Sequence, residues 1–118
     1  MIKILPESKG ALICIKVSGK LTDAEYKNFI PQVESVIKEF GTIKLYVDIL
    51  DLDGWEWRVA WDDFAFGIKY WDNFSKLALV GERRWEKFLV LVVDKIHKAD
   101  VRIVDRENSS TALTWIQE

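Results

Sequence analysis

The sequence is poor in the residues that staple or punctuate a chain: one cysteine, one methionine, one histidine and two prolines in 118 residues. A single cysteine excludes a disulfide framework and a thiolate zinc set, which points to a reducing compartment. Six glycines and two prolines exclude collagen-like and low-complexity chains. Charge of one sign is lacking too: 17 Lys+Arg face 19 Asp+Glu, a formal net charge of -2. No basic field is available for phosphates, so nucleic acid is not an expected partner. The longest uncharged apolar run is the six residues from Phe88 to Val93, far short of the roughly 20 that span a bilayer. The apolar opening, residues 1–6, is too short for a signal peptide. These absences lead to the expectation of a soluble, cytoplasmic protein forming one domain over residues 1–118.

What is present is a core. Hydrophobic residues make up 49% of the chain, enough at this length to bury about two-thirds of the unfolded surface. Residues 2–5 and 11–18 read as strands around a turn from Pro6 to Gly10, an N-terminal hairpin. In the second strand Leu12, Cys14 and Lys16 alternate with Ile13, Ile15 and Val17, so few polar groups remain for solvent and both faces should be covered. Gly19 is expected to end it. Thr22-Asp23-Ala24-Glu25 fits a capping box, and Tyr26, Phe29, Ile30, Val33, Val36, Ile37 and Phe40 form the stripe of a helix. Pro31 should kink or restart that helix, and Gly41 should stop it. Strands follow at 43–49, 76–80 and 101–104, each succeeded by a helix-compatible stretch at about 57–71, 82–96 and 108–116. The order ββαβαβαβα predicts an α/β fold, a five-stranded, mostly parallel sheet flanked by four helices.

Catalytic groups are scarce. His97, the one histidine, sits in a polar run without a nucleophile or orienting partner at recognisable spacing. Cys14 lies mid-strand among apolar residues and reads as a small core residue. Ser109-Ser110-Thr111 read as the cap of the last helix. Asp48, Asp51 and Asp53 cluster at the end of the third strand, but Leu50, Leu52 and Trp55 occupy positions a calcium loop needs polar. Neither a metal nor a cofactor is expected, and no catalytic residue is assigned.

Tryptophan is the anomaly. Of six in the chain, four fall between Trp55 and Trp71. On a helical wheel Trp57, Trp61, Phe64, Ile68 and Trp71 share one stripe, ordinary packing against a sheet. A second stripe of Val59, Phe66 and Tyr70 leaves only Arg58, Asp62 and Lys69 as a polar edge. The following helix repeats the excess: Trp85, Phe88, Leu89, Val92 and Ile96 face one way while Val90 and Leu91 lie elsewhere. The two helices either pack on each other or use the surplus surface for an apolar ligand, a subunit partner or a membrane surface. Arg83 and Arg84 open the second helix, where cations oppose the macrodipole. They either pair with Glu82 and Glu86 or meet an anionic group there.

Several stretches carry a resemblance to a known family. They are Ser18-Gly19-Lys20-Leu21-Thr22, Leu45-Tyr46-Val47-Asp48 leading to Gly54-Trp55, Phe66-Gly67-Ile68-Lys69, and above all Val80-Gly81-Glu82-Arg83-Arg84-Trp85-Glu86. Through them nearly the whole chain resembles the SpoIIAA-like branch of the STAS (sulfate transporter and anti-sigma antagonist) domains. The resemblance implies a sheet flanked by helices, similar to CRAL-TRIO lipid-transfer domains, no enzymatic activity, and binding of apolar ligands or membranes. Anti-sigma antagonists carry a phosphorylatable serine after the third strand. Residues 50–55 here contain neither Ser nor Thr, so that switch does not carry over.

The expectation is a binding domain for an apolar or amphipathic, lipid-like molecule. Trp55, Trp57, Trp61, Phe64, Phe66, Tyr70, Trp71, Trp85, Phe88 and Leu89 would form its walls, with Arg83 or Arg84 at an anionic head. Helix 57–71, weakened by Gly67 and preceded by Gly54, would act as a lid and as a peripheral membrane contact. The alternative is a protein–protein module, a homodimer or a regulatory partner domain, using the same aromatic surface.

Overall fold

Leu12–Leu21 forms the strand around which the rest is arranged. In the computed structural model, which describes residues 1–55, 71–82 and 99–118, the elements run in order along the chain. They are β1 (Ile2–Ile4), β2 (Leu12–Leu21), α1 (Asp23–Phe40), β3 (Ile43–Trp55), β4 (Phe74–Val80), β5 (Asp100–Val104) and α2 (Ser109–Gln117). The five strands form one mixed sheet in sequential order, β1-β2-β3-β4-β5. β1 is antiparallel to β2, with Ile4 opposite Ile15, and the remaining pairings are parallel.

The alternation in β2 covers both faces, as its composition predicts. Ile13, Ile15 and Val17 join Phe29 and Val33 of α1 in one core, with Leu77 and Leu79 of β4. Leu12 and Cys14 join Tyr46, Ala78 and Val80 under Ala112, Trp115 and Ile116 of α2 in the other. α1 begins as its capping sequence predicts: the Glu25 amide donates to Thr22 Oγ1 at 3.2 Å, and the Thr22 hydroxyl donates to Glu25 Oε1 at 3.1 Å. It ends at Gly41, left-handed at φ 76°, whose amide donates to the Ile37 carbonyl at 2.7 Å. Of the predicted stripe, Tyr26, Phe29 and Val33 are buried; Phe40, at the last turn, is 46% exposed.

Several expectations are corrected. α1 runs as one helix through Pro31; the proline is exposed, so its ring and missing donor face solvent while Phe29 and Val33 anchor the turns on either side. Gly19 does not end β2. It takes φ 65°, a left-handed conformation that glycine adopts freely, beside an irregularity in the β2–β3 pairing whose extra residue lies on β3. β3 continues to Trp55, so Asp51 and Asp53 are exposed strand residues that alternate with the buried Leu50 and Leu52. Residues 71–73 are a turn of 3-10 helix, and Glu82 lies outside any helix. Ser109 does not cap α2: the cap position is Asn108, whose side chain donates to Asp105 Oδ1 and caps no helix amide, and the Ser109 hydroxyl donates back to the Arg106 carbonyl at 2.9 Å. Two α-helices are present among the described residues against the four expected. Apart from position 71 and position 82, the helices expected over 57–71 and 82–96 fall outside those residues.

Candidate functional site

Parallel strands gather their carboxyl ends on one edge of a sheet, and ligands of open α/β folds bind there. That edge here is formed by the ends of β2, β3, β4 and β5, at Leu21, Trp55, Val80 and Val104. Leu21 stands opposite Trp55 in the register. The pairing of β2 with β3 shifts twice before that point, between Lys16 and Ser18 and between Gly19 and Lys20, and a bulge twists the strand that carries it. Within this region Lys16 Nζ meets Asp51 Oδ2 at 2.9 Å, and the Leu50 amide donates to Asp48 Oδ1 at 2.9 Å. The hydrogen bond and charge of Asp51, followed by the charge of Asp48, hold the Lys16 ammonium above the ordinary lysine value. The same contact holds the Asp51 carboxyl below the ordinary value. The three aspartates do not converge: among the described residues no group of three metal-ligating side chains comes together.

The second polar constellation lies at the opposite edge, beneath the carboxyl end of α2. Lys76 Nζ donates to the Trp115 carbonyl at 3.3 Å and Lys44 Nζ to the Glu118 carbonyl at 3.0 Å. Both cations meet the negative end of the helix, where such groups stabilise it. The Trp115 ring, 7% exposed, carries the Arg102 guanidinium 4.4 Å from its centre and the Lys76 ammonium at 5.1 Å. Sequence reasoning missed this cluster, because its cations lie on three strands far from Trp115 in the chain. The paired register of Lys44 with Lys76 appears only once the strands are aligned.

Cys14 is fully buried. Burial, followed by the charge of Glu7, pushes its thiol up to about 11, so the thiolate that would act as a nucleophile is suppressed. The reading of Cys14 as a core residue holds. The Tyr46 phenol is also pushed up, first by burial and then by the charges of Asp48, Cys14 and Glu7. An open cleft of about 470 Å³ between the β1–β2 connection and the middle of α1 is lined by Ile4, Lys9, Ile13, Pro31 and Gln32, among others; nothing in the sequence marked it.

Of the residues expected to form an aromatic site, Trp55 closes β3 and Trp71 opens the 3-10 turn before β4. Trp57, Trp61, Phe64, Phe66, Tyr70, Arg83, Arg84, Trp85, Phe88 and Leu89 lie outside the described residues, as does His97. Among the described residues no helix is long and apolar enough to cross a membrane.

A mixed five-stranded sheet with one helix on each face, among the described residues, is a layered α/β architecture. Residues 12–117 match the SpoIIAA-like family, and the chain belongs to that family. Its structure is similar to that of an uncharacterised protein with a SpoIIAA-like fold from Shewanella loihica PV-4. The two share 27% sequence identity and a TM-score of 0.76 over 98% of this chain and 92% of that one. No curated protein matches the chain.

Proposed function

We propose that this protein is a non-enzymatic binding domain for an apolar or amphipathic, lipid-like molecule, akin to the CRAL-TRIO lipid-transfer domains. The observation that carries this reading is the coincidence of composition and topology. The two stretches with surplus apolar residues, 56–70 and 83–98, are the connections that leave the carboxyl ends of the adjacent parallel strands β3 and β4. This is the edge at which open α/β sheets take ligands. The suppressed thiol of Cys14 and the separated aspartates favour binding over catalysis. Affinity would come from apolar burial at about 25 cal/mol per Å², with Arg83 or Arg84 meeting an anionic head.

Native mass spectrometry after gentle purification, followed by organic extraction, tests the reading. A co-purifying lipid, or a change in tryptophan fluorescence on adding dodecanoate, supports it; an empty protein whose fluorescence ignores dodecanoate overturns it. The same aromatic residues suit a protein–protein module equally in composition. Binding of a macromolecular partner with no response to lipid would favour that second reading.

A further inference from the structure

The two edges of the sheet are finished differently. β1 is three residues long, carries the exposed Lys3 at its centre and is followed two residues later by Pro6. A short strand, a lysine and a nearby proline are the devices that keep an edge from pairing with another chain. β5 has five residues, Asp100–Val104, with neither lysine nor proline, and among the described residues it pairs with β4 alone. The Val104 carbonyl accepts from the Gly81 amide at 3.1 Å. Alternation along a strand therefore turns the backbone groups of Asp100, Arg102 and Val104 toward β4, and those of Val101 and Ile103 outward.

We propose that this edge pairs with β5 of a second copy of the chain, antiparallel about a two-fold axis through Val101. Such an axis stands perpendicular to the sheet and keeps each residue on its own face, so only registers that pair residues of like parity are open. Centring on Asp100 sets two aspartates opposite each other, and centring on Arg102 sets two arginines opposite; like charges directly opposed destabilise a ladder. Centring on Val101 sets Asp100 opposite the partner's Arg102, twice. It also sets the outward backbone groups of Val101 opposite each other as a hydrogen-bonded pair. On the other face Ile103, 44% exposed, comes to lie against Ala99 of the partner subunit. Neither Asp100 nor Arg102 has an ion-pair partner among the described residues. Stacking on Trp115 occupies only the face of the Arg102 guanidinium, leaving its edge donors for a carboxylate.

One five-residue ladder is a small interface, so the expected dimer is weak, with a dissociation constant of roughly 0.1–1 mM. Sedimentation of the full chain should show a monomer at about 10 μM and association near 1 mM. Asp100→Arg makes the edge wholly basic and Arg102→Asp makes it wholly acidic, so each variant alone should stay monomeric. Mixed, they should form a heterodimer tighter than the wild-type pair, because both ionic pairs are restored and the diagonal contacts, Asp100 to Asp100 and Arg102 to Arg102 in the wild type, become attractive. Circular dichroism checks that each variant is folded. As an independent readout, Val101→Cys should form an intermolecular disulfide under mild oxidation, since hydrogen-bonded antiparallel partners bring Cα atoms to about 5.5 Å. A wild type that stays monomeric near 1 mM, variants that self-associate like it, or a mixture that fails to associate overturns the proposal.

Discussion

Beneath α1 the sheet presents Ile13, Ile15, Val17, Leu77 and Leu79, all aliphatic and all buried. Beneath α2 it presents Cys14 and Tyr46; around the end of that helix Lys76 and Arg102 meet Trp115, and Lys44 meets the Glu118 carbonyl. The first face is held by the removal of apolar surface from water, which is indifferent to orientation and to pH. The second adds directed contacts: cations over a ring, ammonium groups on helix carbonyls, and a thiol that must stay protonated. The 18-residue helix has a cap and a left-handed stop of its own. The nine-residue helix lacks a side-chain cap and draws on lysines of β3 and β4 instead.

Mutations test that division. Phe29→Ala, in the aliphatic face, should lower stability by about 3–5 kcal/mol in urea titrations, by the same amount at pH 6 and pH 8. Gly41→Ala forces a side chain into the left-handed conformation, and a loss of about 1–2 kcal/mol is expected. Thr22→Ala should remove about 1 kcal/mol; a matching loss in the Thr22→Ala and Glu25→Ala variants, non-additive in the double variant, would show the two side chains acting as one cap. On the other face, a double-mutant cycle of Arg102→Ala with Trp115→Leu should report a coupling of about 0.5–1 kcal/mol, measured at low protein concentration. A coupling of zero would erase the distinction between the faces at that point.

The last test is silent at neutral pH. The folded chain keeps the Cys14 proton up to about 11, against 9.0 for the ordinary thiol. Native protein therefore holds more protons than unfolded protein between these values, and stability must fall as pH rises through that window. Cys14→Ala should flatten this part of the profile measured by thermal melts. An unchanged slope would assign the loss to other groups, such as Tyr46.

Much of this architecture can be read from local pattern. The two-sided apolar alternation of β2, the Thr22–Glu25 cap and the Gly41 stop each lie within one element, and each is realised. What pattern alone could not supply is cross-strand context. Asp51 and Asp53 look like loop residues until β3 is seen to run past them, with Lys16 of β2 reaching Asp51. Gly19 looks like a strand breaker until β3 is seen to pair with β2 on both sides of it, across a register shift. Trp115 is a single aromatic in a short helix, and only the alignment of β4 with β5 reveals the two cations on its ring. The family resemblance is legible in the sequence, and residues 12–117 bear it out. Most of the residues expected to form the aromatic site lie outside the described residues, so that part rests on the experiments above.

The lysine contacts to α2 join positions 74 and 39 residues apart in sequence, and this has a consequence for a chain being made. The face formed by Leu12, Cys14, Tyr46, Ala78 and Val80 has its strands in place, in order of emergence, long before residues 109–117 have been translated. At roughly 5–20 residues per second, the ribosome leaves this apolar surface without its cover for seconds. Until α2 arrives, the nascent chain offers a sticky plane to chaperones and to neighbouring chains, and a block of translation ahead of residue 109 would hold it there.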